Sequence, residues 1–164
     1  MKRALKVLLI IVVLGLIIIQ FIKPEQNAGE EIAANQIEAI NPVPGDVHQT
    51  LKISCYDCHS NTTQYPWYSK IQPVAWVLSD HIVEGKDELN FSEFATYPAY
   101  KRYKKFKEII KEVKDGEMPM TSYTLLHRNA VLNAEQKSAI ENWAQSAVQE
   151  MESKFPADSL AKPK

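Results

Sequence analysis

Ser54-Cys55-Tyr56-Asp57-Cys58-His59-Ser60-Asn61 is the stretch on which the reading of this chain turns. Two thiols stand three positions apart, close to one helical turn, and an imidazole follows the second directly. Several chemistries use such a pair. Thiol-disulfide exchange wants a βαβ frame around it, which the flanking sequence does not offer. Zinc needs further ligands, and His48, His81 and His127 supply no second pair at zinc spacing. A disulfide across two residues closes too small a loop to stabilise much. Porphyrin attachment uses every residue of the pattern: the two sulfurs reach the vinyl groups along one haem edge, and the histidine is placed under the iron. The reading is one covalent haem c, thioether-bonded through Cys55 and Cys58, with His59 as the proximal iron ligand. The chain has only these two cysteines.

Outward from the motif, the pattern is helical throughout. Asp46 is a candidate N-cap, and Val47, Leu51 and Cys55 recur at i, i+4 and i+8, so a short helix delivers the motif at its end. Tyr65-Pro66-Trp67-Tyr68 is aromatic and turn-rich. Pro73 opens a helix through about Glu84 with Gly85 as its stop, and Ser92 caps a short turn. From Tyr100 to Asp115, Tyr103, Phe106, Ile109, Ile110 and Val113 draw one apolar face, closed by Gly116. Asn133 with Gln136 forms a capping-box pair ahead of a last helix through about Met151, its inner face Ile140, Trp143, Ala144, Ala147 and Val148. No strand or repeat is predicted. The expected fold is all-α, a small cytochrome c-like helical domain over residues 46–152, followed by a disordered tail over 153–164.

Upstream, Lys2, Arg3 and Lys6 precede an apolar run from Val7 to Ile22 broken only by Gly15 and Gln20. The run falls slightly short of the roughly 20 residues of a bilayer span, a shortfall that a snorkelling Lys6 makes up. A signal peptide and a signal anchor both fit this pattern; with no small-x-small cleavage site after Ile18, residues 1–23 read as the uncleaved signal anchor, a transmembrane helix, in preference to a cleaved signal. The positive-inside rule then keeps the basic tip in the cytoplasm. The expected location is the cytoplasmic membrane, single-pass, with the C-terminal domain in the periplasm. Residues 24–45 read as a polar linker ending in Asn41-Pro42-Val43-Pro44-Gly45. With 19 basic and 20 acidic residues the chain has no electrostatic footprint for nucleic acid.

Function depends on the second axial position of the iron. Met118, in Gly116-Glu117-Met118-Pro119-Met120, sits in a turn after an amphipathic helix, where a thioether would raise the reduction potential and close the site. His81, on the apolar face of its helix with Val74 and Leu78, is the alternative ligand, though a lone inward histidine is commonly just a hydrogen-bonded core residue. Tyr65, Trp67 and Trp76, together with Tyr68, Tyr97 and Tyr123, are candidates to wall a porphyrin, or to be ordinary core. The basic run Lys101 to Lys107 is a solvated helix face or a docking patch for an acidic redox partner protein, whose identity the chain does not disclose.

Cys55-x-x-Cys58-His59, the later Gly116-x-Met118-Pro119 and a final helix from Leu132-Asn133-Ala134-Glu135 to Trp143 resemble the layout of class I cytochrome c. Ser54 to Asn61, His81 with Glu84-Gly85, Phe91-Ser92-Glu93 and Gly116 to Pro119 resemble the bacterial haem-binding domain family, over about Asp46 to Ala147. The resemblance implies haem attachment at Cys55 and Cys58, proximal ligation by His59 and, less specifically, distal ligation by Met118. The long aromatic stretch between His59 and His81 departs from ordinary cytochrome c. Together these readings lead to the expectation of a membrane-anchored monohaem c-type cytochrome that transfers single electrons in the periplasm and is not an enzyme. The alternative is a haem enzyme or sensor, peroxidase-like or gas-binding, with an open distal site.

Overall fold

The computed structural model describes residues 2–162 and is helical, with no strand among the described residues. The all-α expectation therefore holds, while the transmembrane part of it does not. Helix α1, Lys2–Ile19, has 18 residues, but Lys2, Arg3 and Lys6 lie within it. The uncharged remainder, about 13 residues, rises about 20 Å against a hydrocarbon core of about 30 Å. No helix among the described residues is long and apolar enough to cross a membrane. The expected anchor over residues 1–23 is corrected accordingly, and with it the single-pass placement that put the domain in the periplasm.

Polar contacts stop α1 where the hydropathy pattern did not. Gln20 Nε2 donates to the Leu16 carbonyl and, at 3.2 Å, to that of Gln72, while Gln20 Oε1 accepts from the Gln72 N–H. Gln72 Nε2 and Trp76 Nε1 both donate to the Ile22 carbonyl. The chain after α1 is thus strapped to the Gln72–Trp76 corner.

Two long helices carry the core, α5 (Ala99–Asp115) and α7 (Ala134–Lys154), with the short α6 (Thr121–Leu126) between them in the chain. The apolar face of α5 meets the inner face of α7 through Phe106 and Trp143, edge to face at 5.6 Å, and Phe94 packs edge-on to Phe106 at 5.0 Å. Asn133 and Gln136 form the reciprocal capping box, Oδ1 accepting from the Gln136 N–H at 2.8 Å and Oε1 from the Asn133 N–H at 3.0 Å. Gly116 ends α5 at φ 77°, a left-handed conformation that glycine adopts without strain. Ile37 is wholly buried in this core, and the Pro42 carbonyl accepts from Trp143 Nε1, so the stretch 24–45 contributes to it. Phe155 and Leu160 rest against it from the other end, Leu160 closing the short helix α8, Ala157–Leu160.

Helix α2, Gly45–Ser54, leads into a one-turn helix α3, Tyr56–His59, so the motif forms its own turn and is not the tail of α2. Helix α4, Val74–Glu88, crosses over it and runs on through Gly85, where the sequence pattern placed a stop. The reason for glycine there is tertiary. A Cβ at 85 would lie 2.8 Å from the Cys58 carbonyl oxygen and 3.1 Å from Cys58 Cβ, backbone and near-backbone atoms with nowhere to go.

In an open helix Gly→Ala gains about 1 kcal/mol, whereas overpacking costs about 1–3 kcal/mol. Gly85→Ala is therefore expected to lower stability, by up to about 2 kcal/mol in urea unfolding, instead of raising it as helix propensity alone would. Phe94→Ala, which empties a fully buried site, should cost about 3–5 kcal/mol in the same measurement.

Candidate functional site: a cleft around Cys55, Cys58 and His59

Helix α2 ends because Cys55 leaves helical geometry, at φ −130° and ψ −41°, while its N–H still donates to the Leu51 carbonyl. Its own carbonyl then accepts from the Cys58 and His59 N–H groups at 3.1 and 3.0 Å, which closes the α3 turn. Ser60 Oγ, buried, lies 2.7 Å from the Tyr56 carbonyl and 2.8 Å from that of Thr62, its one O–H shared between them, and closes off the turn. Asp57 is held by the Tyr123 hydroxyl at 2.8 Å and by the Gln64 N–H at 3.0 Å.

His59 is oriented by α4. Its Nδ1 stands 2.8 Å from the Gly85 carbonyl oxygen and 3.0 Å from that of Leu89. Both partners are acceptors, so Nδ1 carries the proton and Nε2 keeps its lone pair. Nε2 makes no hydrogen bond among the described residues. Burial holds the histidine's pKa below its ordinary value and the Lys105 charge adds to this, while the two carbonyl contacts oppose it. Phe91 packs edge-on to the ring at 6.4 Å. A neutral imidazole fixed through Nδ1–H, with Nε2 free, is the form that ligates a metal.

Both cysteines are free thiols. Burial, aided by the neighbouring Cys58, pushes the Cys55 thiol up to about 12. Burial and then Asp57 push Cys58 up to about 11. A thiol-exchange nucleophile needs the opposite shift, so this environment does not suit thiols that cycle.

Two cavities of about 430 and 410 Å³ share Cys55, His59, Met118 and Pro119 in their walls. The first is apolar, lined by Leu51, Leu89, Phe91, Ile109, Val113 and Ile140. The second is ringed by Cys58, His81, Met120, Tyr123 and the carboxylates Asp57, Glu84, Glu88, Glu112 and Glu117. Met118 reaches both because the Gly116 turn folds the chain back, its N–H donating to the Glu112 carbonyl at 3.2 Å. His81 reaches only the second. The cleft thus has the size and apolar lining of a cofactor site, two thiols at its edge, a nitrogen donor with a free lone pair and a thioether in the wall. These residues fit a haem.

The structure brings together Cys55, Cys58, His59, Met118 and His81, and leaves three proposed wall residues elsewhere. Trp67 is 74% exposed. Trp76 serves the Ile22 strap, and the Tyr65 hydroxyl accepts from the Asn27 N–H at 2.6 Å. Aromatic bodies in sequence do not say which surface they face, and these three pin the N-terminal segment or meet solvent. Of the aromatic candidates, Tyr123 alone lines either cavity, its ring stacked on His127 at 4.2 Å, with the Tyr68 hydroxyl 2.6 Å from His127 Nε2. The aliphatic floor and the acidic ring carried no motif by which sequence could find them.

No curated protein and no solved structure matches the chain. The family described as "Haem-binding domain" matches residues 14–146, which takes in the whole cleft. The ligand of this protein is accordingly haem, and the chain belongs to the haem-binding domain family.

Proposed function

We propose that the chain is a monohaem c-type protein that carries single electrons, with thioether bonds at Cys55 and Cys58, His59 Nε2 on the iron and Met118 in the second axial position. The observation that carries this reading is the orientation of His59: Gly85 and Leu89 hold Nδ1–H and leave Nε2 as the free donor beside two partly buried, protonated thiols. When bound, haem would supply a one-electron iron couple. The residues of the chain do the rest. Leu51, Phe91 and Ile140 exclude water from the apolar cavity, Cys55 and Cys58 hold one edge of the ring, and the α4 carbonyls keep His59 neutral and aligned. Met118 is favoured over His81 because it lies in the wall of both cavities and His81 in one.

Two features set the reduction potential in opposite directions. A thioether ligand raises it, whereas Glu84, Glu88, Glu112 and Glu117 around the second cavity favour the more positive oxidised iron and lower it. The second cavity, ringed by carboxylates beside His59, is the specific support for the other reading, a haem enzyme or sensor whose distal position stays open.

Matured protein is expected to gain the mass of one haem, to keep it through acid-acetone extraction, and to lose that retention in the Cys55→Ala/Cys58→Ala double variant. A bare polypeptide mass after maturation refutes covalent attachment. Reduced wild type should not take up carbon monoxide, Met118→Ala should, and His81→Ala should keep the wild-type spectrum. Ready carbon monoxide binding by wild type would replace the electron carrier with the open-site reading, and an unchanged Met118→Ala spectrum removes Met118 as ligand.

A further inference from the structure

Lysines are seldom buried without a partner, since taking an ammonium out of water is costly. Lys105, on α5, is 6% exposed and stands in the wall of the apolar cavity among Leu51, Phe91, Ile109 and Ile140. Its Nζ is 2.7 Å from Glu108 Oε2 and 3.1 Å from Glu88 Oε2. Two carboxylates face one ammonium, so Glu108 alone would balance the charge. Glu88 belongs to α4, and its side chain is 79% exposed. Most of it is already in water, and releasing Lys105 would require little more desolvation or strain.

The charges of the cleft are also unevenly placed. The apolar cavity has two lysines in its walls, Lys105 and Lys111, beside three carboxylates, Glu88, Glu108 and Glu112. The second cavity has five carboxylates and, among the described residues, no lysine or arginine. Lys111 is 64% exposed and paired with Glu112 and Asp115, so solvent screens it. A haem has two carboxylates on the edge away from its vinyl groups. With the vinyl edge at Cys55 and Cys58, those carboxylates are repelled by the acidic ring and drawn to the buried cation.

Resting on the haem assignment of this cleft to these residues, we infer that Lys105 anchors a carboxylate of the bound porphyrin and that Glu88 is its stand-in, yielding Lys105 when the porphyrin enters. Glu108 stays as the permanent partner one turn along α5 and keeps the ammonium compensated in both states.

The test is titration of the full haem-free chain with iron protoporphyrin and with its dimethyl ester, followed by the absorption of the bound porphyrin. Wild type should prefer the diacid by about tenfold, the scale of a charge-assisted hydrogen bond in a sheltered site. Lys105→Gln should bind the two forms alike, at the wild-type affinity for the ester, and that retained ester binding shows the pocket is folded. Glu88→Gln should bind the diacid several-fold more tightly than wild type, the competing carboxylate being gone. If wild type binds neither form, the haem reading of this cleft fails. If wild type binds but Lys105→Gln keeps the same preference for the diacid, the anchor is wrong and the haem site stands. Should Lys105→Gln not fold, Glu88→Gln decides: a gain in diacid affinity supports the exchange and no gain overturns it.

Discussion

The contact between α4 and the motif turn is the constraint on which the site depends. His59 can present Nε2 only while Nδ1–H is occupied, and the groups that occupy it are main-chain carbonyls of Gly85 and Leu89 at the end of α4. Those carbonyls come within reach because α4 lies directly on Cys58, at a separation that excludes even a methyl group. One glycine therefore couples helix packing to imidazole orientation. A side-chain acceptor would have carried its own charge and rotamer freedom, while a carbonyl pair on a packed helix has neither.

The same α4 carries both characters of the cleft. Its inner side supports His59, and its rim supplies Glu84, Glu88 and His81 to the second, carboxylate-ringed cavity. Across from it, α5 supplies the apolar floor at Ile109 and Val113 and a buried ammonium at Lys105. The result is a site that is greasy where a macrocycle would lie, with five carboxylates on one side and Lys105, paired to Glu88 and Glu108, on the other. Such asymmetry orients a ligand that is itself apolar on one edge and anionic on the opposite one.

The N-terminal segment shows how far hydropathy alone misleads. Val7 to Ile22 reads as one run because Gln20 is a single polar residue among aliphatics. In the structure that glutamine is bonded through both its amide atoms, the helix ends at Ile19, and the charged first turn takes up part of its length. Length minus charge, and not mean hydropathy, decides whether a helix reaches across a bilayer.

The local signals were legible in the chain by itself. The Asn133 capping box, the Gly116 stop, the amphipathic face of α5 and the Cys-x-x-Cys-His spacing each depend on residues within a few positions of one another, so they act before any tertiary contact forms. The family match confirms the haem that this spacing announced. What only the folded structure decided was every choice between partners distant in sequence. Gly85 is glycine because of Cys58, Trp76 faces the Ile22 carbonyl and not the cleft, Ile37 joins a core whose other residues run from Val47 to Met151. Lys105, which in sequence belongs to a basic helix face, is turned inward against Glu88 and Glu108. A residue's type limits what it can do, but its burial and its partner depend on which helices meet, and that is settled by the packing of the whole core.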